Sequence, residues 1–396
     1  MDQEKINEFL DRAVAEILPT REMLVDKLKK GPIRVYLGVD PTSPKIHLGN
    51  AVALFKLRQL QDMGHQVVLL IGSFTATIGD PSDKTSARTG LTQEQVNQNF
   101  KTYKEQASKI LDFDKVSLQE NGEWWHKMPV SEFMGILSKV TLKQVTERDL
   151  FAKRMASGGE VWMHELMYPM LQGYDSVVLD VDLEVGGTDQ TFNMLMGRKL
   201  QKIYSNKEKC VLSVPLIMGT NGLKMSKSEG NTVDLTDSAP NMYGKLMSIR
   251  DEMIPIYAEC CTTLPWSEVQ EIKENIASSE NPIDLKKKVA FEITRFFHDE
   301  KSAMDAQNQF KSVVQGGGVP SEMENVTVNP ADMKFEDLLM GTGAITSRSE
   351  IKRLISGGGC SLDGTVITDP NFEVTPKEGG ILKIGKRGYY RININE

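Results

Sequence analysis

Two short motifs carry side chains suited to binding phosphate groups. The first spans residues 40–50 and contains His47, Gly49 and Asn50 at the predicted start of a helix. A helix N-terminus offers unpaired N–H groups and the positive end of a dipole, and glycine lets a ligand approach the backbone. This pattern is typical of a nucleotide site. On their own these residues would also fit a simple alternative, in which His47 only caps the helix and Gly49 only packs against it.

The second motif is Lys224-Met-Ser-Lys-Ser228, which lies between Gly222 and Gly230. Two lysines on a glycine-flanked loop can neutralise triphosphate charge without fixing one geometry. A solvated basic turn is the alternative. The two motifs together, the first at a helix start and the second where the catalytic sheet would end, favour ATP binding.

The elements around the first motif predict how it is positioned. Residues 34–39 and 66–71 are expected as strands, with a helix over 47–63 between them. A strand, a crossover helix and a second strand form a right-handed parallel unit, which predicts an α/β fold with a doubly wound, Rossmann-type sheet. Further strands are expected at 176–181 and 210–215, separated by a helical stretch at 188–203.

The length of 396 residues predicts two or three domains at roughly 150 residues each. We expect a catalytic domain over 1–230, an α-helical domain over 231–314 and a small α+β domain over 335–396. Three glycines and a proline within 315–320 mark the start of a linker, expected to run over 315–334.

Composition excludes several classes of protein. Apolar residues make up 40% and charged residues 26%, as in ordinary globular domains. The net charge of −7 disfavours nonspecific binding to nucleic acid, so an RNA partner needs local basic patches. The four cysteines and five histidines lack metal-ligand spacing, and no protein-bound metal is expected. Apolar runs are too short to cross a membrane, and no signal or transit peptide is evident, which predicts a cytoplasmic protein.

The two motifs resemble the signatures of class I aminoacyl-tRNA synthetases. The second matches K-M-S-K-S at every position, whereas Asn50 replaces a histidine at the end of the first. Segments 36–42, 79–82, 168–175 and 186–190 are similar to bacterial tyrosyl-tRNA synthetases, and the resemblance spans nearly the whole chain. The resemblance implies a tyrosine-tRNA ligase that forms tyrosyl-adenylate from L-tyrosine and ATP, with Mg²⁺ carried on the nucleotide, and transfers tyrosine to tRNA(Tyr).

The resemblance also implies roles for individual residues. Tyr36 and Asp175 would bind the phenolic hydroxyl, and Gln190 would lie near the carboxylate. The ammonium group would be held by Asp80, Tyr168 and Gln172. Because Tyr168, Gln172 and Asp175 share one helix face, a polar core network is the alternative to a ligand site.

On the nucleotide side, the resemblance implies catalysis by His47, Asn50, Lys224 and Lys227. ATP would contact Asp40, Thr42, Gly49, Gly187, Asp189, Ser226, Lys227 and Ser228. Lys84 and Arg88 would grip pyrophosphate, unless they only belong to a surface loop. Leu37 and Ala53 stand where some relatives carry a polar residue near the ribose, so part of the nucleotide affinity must come from elsewhere.

The C-terminal module carries a predicted capping box at Ser347 and Glu350, followed by a helix with a basic stripe. This stripe, Arg348, Lys352 and Arg353, resembles an RNA-binding surface and would bind tRNA; a solvated charged face is the alternative. The family further implies that 231–314 binds the anticodon and that helices near 115–165 form a homodimer interface. Two other functions stay open: a tryptophanyl synthetase, and a paralogue that binds RNA or makes adenylates without charging tRNA.

Overall fold

A computed structural model describes residues 3–82, 90–146, 149–278, 281–316, 323–329, 331–343, 345, 347–385 and 388–395. The chain divides into two compact units, Met1–Ser302 and Ala303–Glu396. Each unit has its own sheet, and no helix in the described ranges is long and apolar enough to cross a membrane.

The first unit is built on a six-stranded sheet. The edge strand Glu16–Leu18 pairs antiparallel with Cys210–Val214, and all the other strand pairs are parallel. The central strands are almost continuously buried, as expected when helices cover both faces of a sheet. The predicted doubly wound α/β fold is therefore confirmed. In spatial order the strands are Glu16–Leu18, Cys210–Val214, Leu183–Gly187, Arg34–Val39, Gln66–Ile71 and Val116–Glu120.

The crossover helix after the first motif is Leu48–Asp62, and it joins two adjacent strands as predicted. His47 is its N-cap, and Gly64, with φ of 82°, follows its C-terminus. Leu48, Leu54 and Leu57 are buried on the face toward the core. Since the parallel strands all end at one edge of the sheet, residues that follow them converge there.

One predicted strand is wrong. The sequence predicts a strand at 176–181, but the helix Met163–Leu179 runs through most of this segment. Its period explains the difference: Leu171, Asp175 and Leu179 are buried on one face, while Val178 on the other is 42% exposed. Asp180 adopts a left-handed conformation that ends the helix, and the strand begins at Leu183.

Helices surround the sheet and continue beyond it. The predicted helices at 240–249, 266–277 and 281–298 correspond to Ala239–Leu246, Trp266–Ser278 and Ile283–Phe297. Helix Glu300–Gly316 begins at the end of the first unit and continues into the second. The other helices of at least four residues in the first unit are Gln3–Asp11, Arg21–Lys30, Thr75–Ile78, Gln93–Lys101, Tyr103–Ala107, Gly122–Trp125, Val130–Leu137, Leu142–Thr146, Asp149–Ala156, Thr191–Ser205 and Ile254–Cys261.

The second unit has a five-stranded sheet with the helices Phe335–Gly341 and Arg348–Ser356. Strand Glu324–Val328 lies within 315–334, the range expected as a linker. A strand forms there because its apolar side chains Val326 and Val328 join the buried core of this sheet. The strands in order are Thr365–Val366, Cys360–Leu362, Ile381–Ile384, Gly388–Ile394 and Glu324–Val328; Met333–Lys334 and Glu373–Val374 form a separate pair.

Candidate active site

A cavity of about 380 Å³ opens at the carboxyl ends of the parallel strands. Nearly all the residues that the sequence assigned to tyrosine and ATP line it, together with Leu37 and Ala53. Lys84 and Arg88 lie outside the described residues. The predicted residues that line this cavity are Tyr36, Asp40, Thr42, His47, Gly49, Asn50, Asp80, Tyr168, Gln172, Asp175, Gly187, Asp189, Gln190, Lys224, Ser226, Lys227 and Ser228.

His47 and Asn50 form a reciprocal capping box at the start of the crossover helix. The backbone N–H of Asn50 donates to His47 Nδ1 at 3.3 Å, and the backbone N–H of His47 donates to Asn50 Oδ1 at 3.3 Å. Burial, aided by the charge of Lys227, lowers the pKa of His47 to about 4. The imidazole is thus neutral, and with Nδ1 accepting, its proton is on Nε2. His47 both caps the helix and presents an N–H donor.

Gly49 brings the helix start close to the loop that carries the second motif. A Cβ atom at this position would lie only 3.0 Å from His47 Nδ1, so a side chain would displace the imidazole. The Gly49 N–H points to the sulfur of Met225 at 3.3 Å. Met225 is 3% exposed and anchors residues 224–228 beside the helix.

The two lysines of the second motif reach different partners. Nζ of Lys224 donates to Oδ2 of Asp189 at 3.0 Å, and Nζ of Lys227 donates to the backbone carbonyl of Lys45. Partial burial of the Lys227 ammonium group lowers its pKa to about 8, although Asp234 opposes this shift. Both cations are therefore held at the cavity rim.

Asn231, which the sequence analysis left without a role, fixes the base of this loop. Its side chain is 1% exposed, accepts from the Ser226 N–H at 2.8 Å and donates to the carbonyls of Leu223 and Lys224. A Cβ at Gly219 would come within 2.4 Å of Asn231, which explains the glycine there. An asparagine closely following a glycine-flanked motif was the available signal.

At the other end of the cavity, Asp175 is 2% exposed and accepts three hydrogen bonds. Nε1 of Trp124 and Nε1 of Trp125 donate to Oδ1 at 2.9 and 2.8 Å, and Asn121 Nδ2 donates to Oδ2 at 3.1 Å. Burial raises the pKa of Asp175 to about 7, and these three donors oppose the rise by stabilising the carboxylate. The sequence did not predict these three donors, although they follow strand Val116–Glu120 at the same edge of the sheet.

Tyr36, on strand Arg34–Val39, lies near Asp175 and is fully buried. Its Oη is 3.0 Å from Oγ of Ser176, the residue after Asp175. Burial, together with the charges of Glu184 and Asp175, keeps the pKa of Tyr36 well above its usual value, so it is a neutral phenol that can both donate and accept.

The polar groups expected to hold an ammonium group are linked to other residues of the site. Tyr168 Oη donates to Asp40 Oδ2 at 2.9 Å, and Gln190 Nε2 donates to Asp80 Oδ2 at 2.7 Å. Asp40 also accepts from Thr75 Oγ1 at 2.7 Å. The amino-acid and nucleotide ends of the cavity therefore meet at Asp40 and Tyr168.

The predicted tRNA-binding stripe belongs to the second unit, on helix Arg348–Ser356. Arg348 forms ion pairs with Asp337 at 2.9 Å and with Glu336 at 3.3 Å, and Lys352 lies 3.4 Å from Glu336. Arg353 is exposed and has no ion pair among the described residues. Ser347 is the N-cap as predicted, but it makes no side-chain capping bond. Part of the stripe is thus neutralised locally.

Among the described residues, no three or more His, Cys, Asp or Glu side chains form a group able to hold a metal ion. The cavity is instead lined by donors, amides and isolated carboxylates. Its chemistry suits a charged organic ligand with phosphate groups.

Comparisons with known proteins agree with this geometry. A family model described as tRNA synthetases class I (W and Y) matches residues 28–315, and an S4 domain model matches residues 342–378. The Tyrosine--tRNA ligase of Thermotoga maritima is 46% identical and covers 100% of this chain and 99% of its own length. That of Moorella thermoacetica is 41% identical, covering 97% and 95%.

Solved structures show the same fold. A C-terminally truncated mitochondrial tyrosyl-tRNA synthetase from Aspergillus nidulans superposes with a TM-score of 0.68 at 21% identity, covering 79% of this chain and 94% of its own. A tyrosyl-tRNA synthetase from Archaeoglobus fulgidus, complexed with L-tyrosine, gives 0.62 at 21% identity, covering 77% and 99%.

Proposed function

The chain belongs to the class I tRNA synthetases of the tryptophan and tyrosine type and works as a tyrosine-tRNA ligase, and from this premise we propose which residues carry each step. Asp175 is the observation that favours tyrosine. Its carboxylate sits at the end of the cavity, is oriented by three N–H donors and faces the phenol Tyr36. A substrate phenol can donate to Asp175 and accept from Tyr36, whereas an indole N–H only donates.

The amino acid is held by three polar sets along the cavity. Tyr36 and Asp175 bind its hydroxyl, and Gln190 lies beside its carboxylate. Its ammonium group is bound by Asp80, Tyr168 and Gln172. Each of these groups already has a fixed partner, which limits the reorganisation that substrate binding requires.

ATP occupies the end where the crossover helix begins. Asp189 accepts from the ribose hydroxyls, and the glycine backbone at Gly49 and Gly187 lets the nucleotide approach the chain. Lys84 and Arg88 bind the departing pyrophosphate. The other nucleotide contacts come from Asp40, Thr42, Ser226 and Ser228.

In the first step the tyrosine carboxylate attacks the α-phosphorus of ATP, the bond to the β-phosphate oxygen breaks, and pyrophosphate leaves. The added negative charge at phosphorus is stabilised by hydrogen-bond donors and by two positive charges. The donors are Nε2–H of His47 and the amide of Asn50, and the charges are those of Lys224 and Lys227. No side chain of the enzyme is a nucleophile. Magnesium enters with ATP and neutralises phosphate charge.

In the second step a ribose hydroxyl of the tRNA 3′-terminal adenosine attacks the tyrosyl carbonyl, and AMP leaves. Phosphates of the tRNA are contacted by basic residues of the S4 domain: the exposed Arg353, with Arg348 and Lys352. The helical segment 231–314 binds the anticodon. The enzyme performs this reaction in the cytoplasm.

The enzyme acts as a homodimer. Apolar side chains on the helices within 115–165 are unusually exposed, with Val130 at 77%, Leu142 at 67% and Met163 at 64%. A second copy of the chain would cover this face. Sedimentation equilibrium should give twice the mass of one chain; a single-chain mass at micromolar concentration would reject the dimer.

ATP–pyrophosphate exchange with each of the twenty amino acids tests the function. Tyrosine alone should support rapid exchange, and the same preparation should charge tRNA(Tyr). Exchange driven by tryptophan in place of tyrosine would assign the other branch of the family. Exchange without charging would identify a paralogue that only makes adenylates.

A further inference from the structure

A buried ion pair lies behind the amino-acid end of the cavity. Glu184 belongs to strand Leu183–Gly187, and Lys209 immediately precedes the adjacent strand Cys210–Val214. Nζ of Lys209 donates to Oε2 of Glu184, and Lys209 and Glu184 are 0% and 1% exposed. Removing two charges from water costs several kcal/mol per ion, so such a pair is weak support for stability by itself.

The pair touches both halves of the tyrosine site. Oε1 of Glu184 accepts from Nε2 of Gln172 at 3.1 Å. Lys209 Nζ also donates to Oγ of Ser176 at 2.8 Å, and this hydroxyl lies 3.0 Å from Oη of Tyr36. Gln172 and Tyr36 line the cavity, whereas Glu184 and Lys209 do not.

The carboxylate determines which way the Gln172 amide points. A carboxylate only accepts, so the NH₂ group of Gln172 must face Glu184. The carbonyl oxygen then faces the opposite side, where Asn193 Nδ2 donates to it at 3.0 Å. This oxygen keeps a second lone pair, and it is the only atom of the amide able to accept from an ammonium group.

We propose that the Glu184–Lys209 pair positions the ammonium-binding site by fixing the orientation of the Gln172 amide. This inference rests on the proposed role of Gln172 in tyrosine binding. Lys209 holds Glu184 in its charged, acceptor-only form, and Glu184 in turn presents the Gln172 carbonyl to the substrate. Neither residue touches the substrate, so both are positioning residues.

The variant Glu184→Gln tests the orientation because it removes the charge at nearly constant volume. Lys209 can only donate, so it would take the carbonyl of the introduced amide and leave the NH₂ of that amide facing Gln172. The Gln172 amide would then turn over and present its own NH₂ to the substrate ammonium group. The Gln172 acceptor would be lost while the phenol and carboxylate contacts remain.

In Glu184→Gln, the KM for tyrosine in pyrophosphate exchange should rise about 10- to 100-fold with kcat and the KM for ATP little changed. When Glu184→Gln is combined with Lys209→Met, the introduced amide has no lysine to bind and can offer its carbonyl to Gln172 again. The KM should then return to within about threefold of the original enzyme.

Two competitive inhibitors separate ammonium recognition from general damage. Tyramine keeps the ammonium group of tyrosine, and 3-(4-hydroxyphenyl)propionate lacks it. Glu184→Gln should raise the inhibition constant of tyramine and leave that of the propionate unchanged. Glu208→Gln, which neutralises a glutamate paired with Arg198 and Lys202 at the surface, is the matched control and should change neither.

An unchanged tyramine constant in Glu184→Gln, or equal increases for both inhibitors, would overturn the proposal. If that variant does not fold, the double variant decides, since a selective loss of tyramine binding there would also overturn it. Failure of the original enzyme to exchange with tyrosine would instead reject the function. The two failures are therefore distinguishable.

Discussion

Nζ of Lys224 lies 3.0 Å from Oδ2 of Asp189, which ties the loop 224–228 to the end of strand Leu183–Gly187. Both residues are assigned to ATP, one to its phosphates and the other to its ribose. Under the proposed assignment, nucleotide binding would exchange this ion pair for two contacts with the ligand. The lysines of the second motif are held near the cavity before ATP arrives, and the cost of ordering the loop is reduced.

Lys227 should contribute to the transition state more than to substrate binding. We expect Lys227→Ala to slow adenylate formation roughly 10²- to 10³-fold, because one preorganised charge at the reacting phosphate is lost. The dissociation constant of tyrosine should change less than about twofold. Rapid-quench measurement of adenylate and equilibrium titration of tyrosine check the two parts. The exposed lysine variant Lys29→Ala is the control, and an unaltered adenylate burst in Lys227→Ala would contradict the assignment.

The pH dependence of kcat/KM should reveal two titrating groups, one that lowers activity at acid pH and one that lowers it at alkaline pH. Burial raises the pKa of Asp175 to about 7, so the carboxylate that binds the phenol is lost below that pH, and kcat/KM for tyrosine should fall. Burial lowers the pKa of Lys227 to about 8, so its charge is lost above that pH, and kcat/KM for ATP should fall. His47, with a pKa of about 4, should not contribute between about pH 5 and pH 9.

Substitutions test whether Asp175 causes the fall in kcat/KM at acid pH and Lys227 the fall at alkaline pH. Lys227→Arg keeps a positive charge at every accessible pH and should abolish the alkaline fall for ATP. Asp175→Asn does not titrate and should abolish the acid fall for tyrosine. Profiles that keep both limbs in these variants would show that other groups titrate.

The sequence predicted the sheet and most of the cavity because short motifs at the ends of parallel strands converge by topology. It failed at 176–181, where an apolar run fitted a strand and a buried helix equally well. It also missed groups that act through other side chains, such as Trp124 and Glu184. Their roles depend on contacts between distant segments, which no local pattern encodes. For the same reason the pairing of Arg348 with Asp337 was not foreseen.

The ion pairs of Arg348 predict that the basic residues of the S4 domain contribute unequally to tRNA binding. Arg353→Ala should weaken tRNA binding and reduce the slope of log affinity against log salt by about 1, as expected for one phosphate contact. Arg348→Ala should have a smaller effect, because Arg348 already interacts with Glu336 and Asp337. Filter binding of tRNA(Tyr) at several salt concentrations provides the comparison. Pyrophosphate exchange should be unchanged in both variants, and equal loss of affinity would contradict the ordering.

The most direct test of the account is whether Asp175 reads the substrate hydroxyl. The measurement is kcat/KM for tyrosine and for phenylalanine in pyrophosphate exchange, with the original enzyme and with Asp175→Asn. The account predicts that the substitution lowers the value for tyrosine by roughly 10²-fold or more, because a charge-assisted hydrogen bond is lost, and lowers that for phenylalanine far less. Equal reductions for both amino acids, leaving the preference for tyrosine intact, would contradict it.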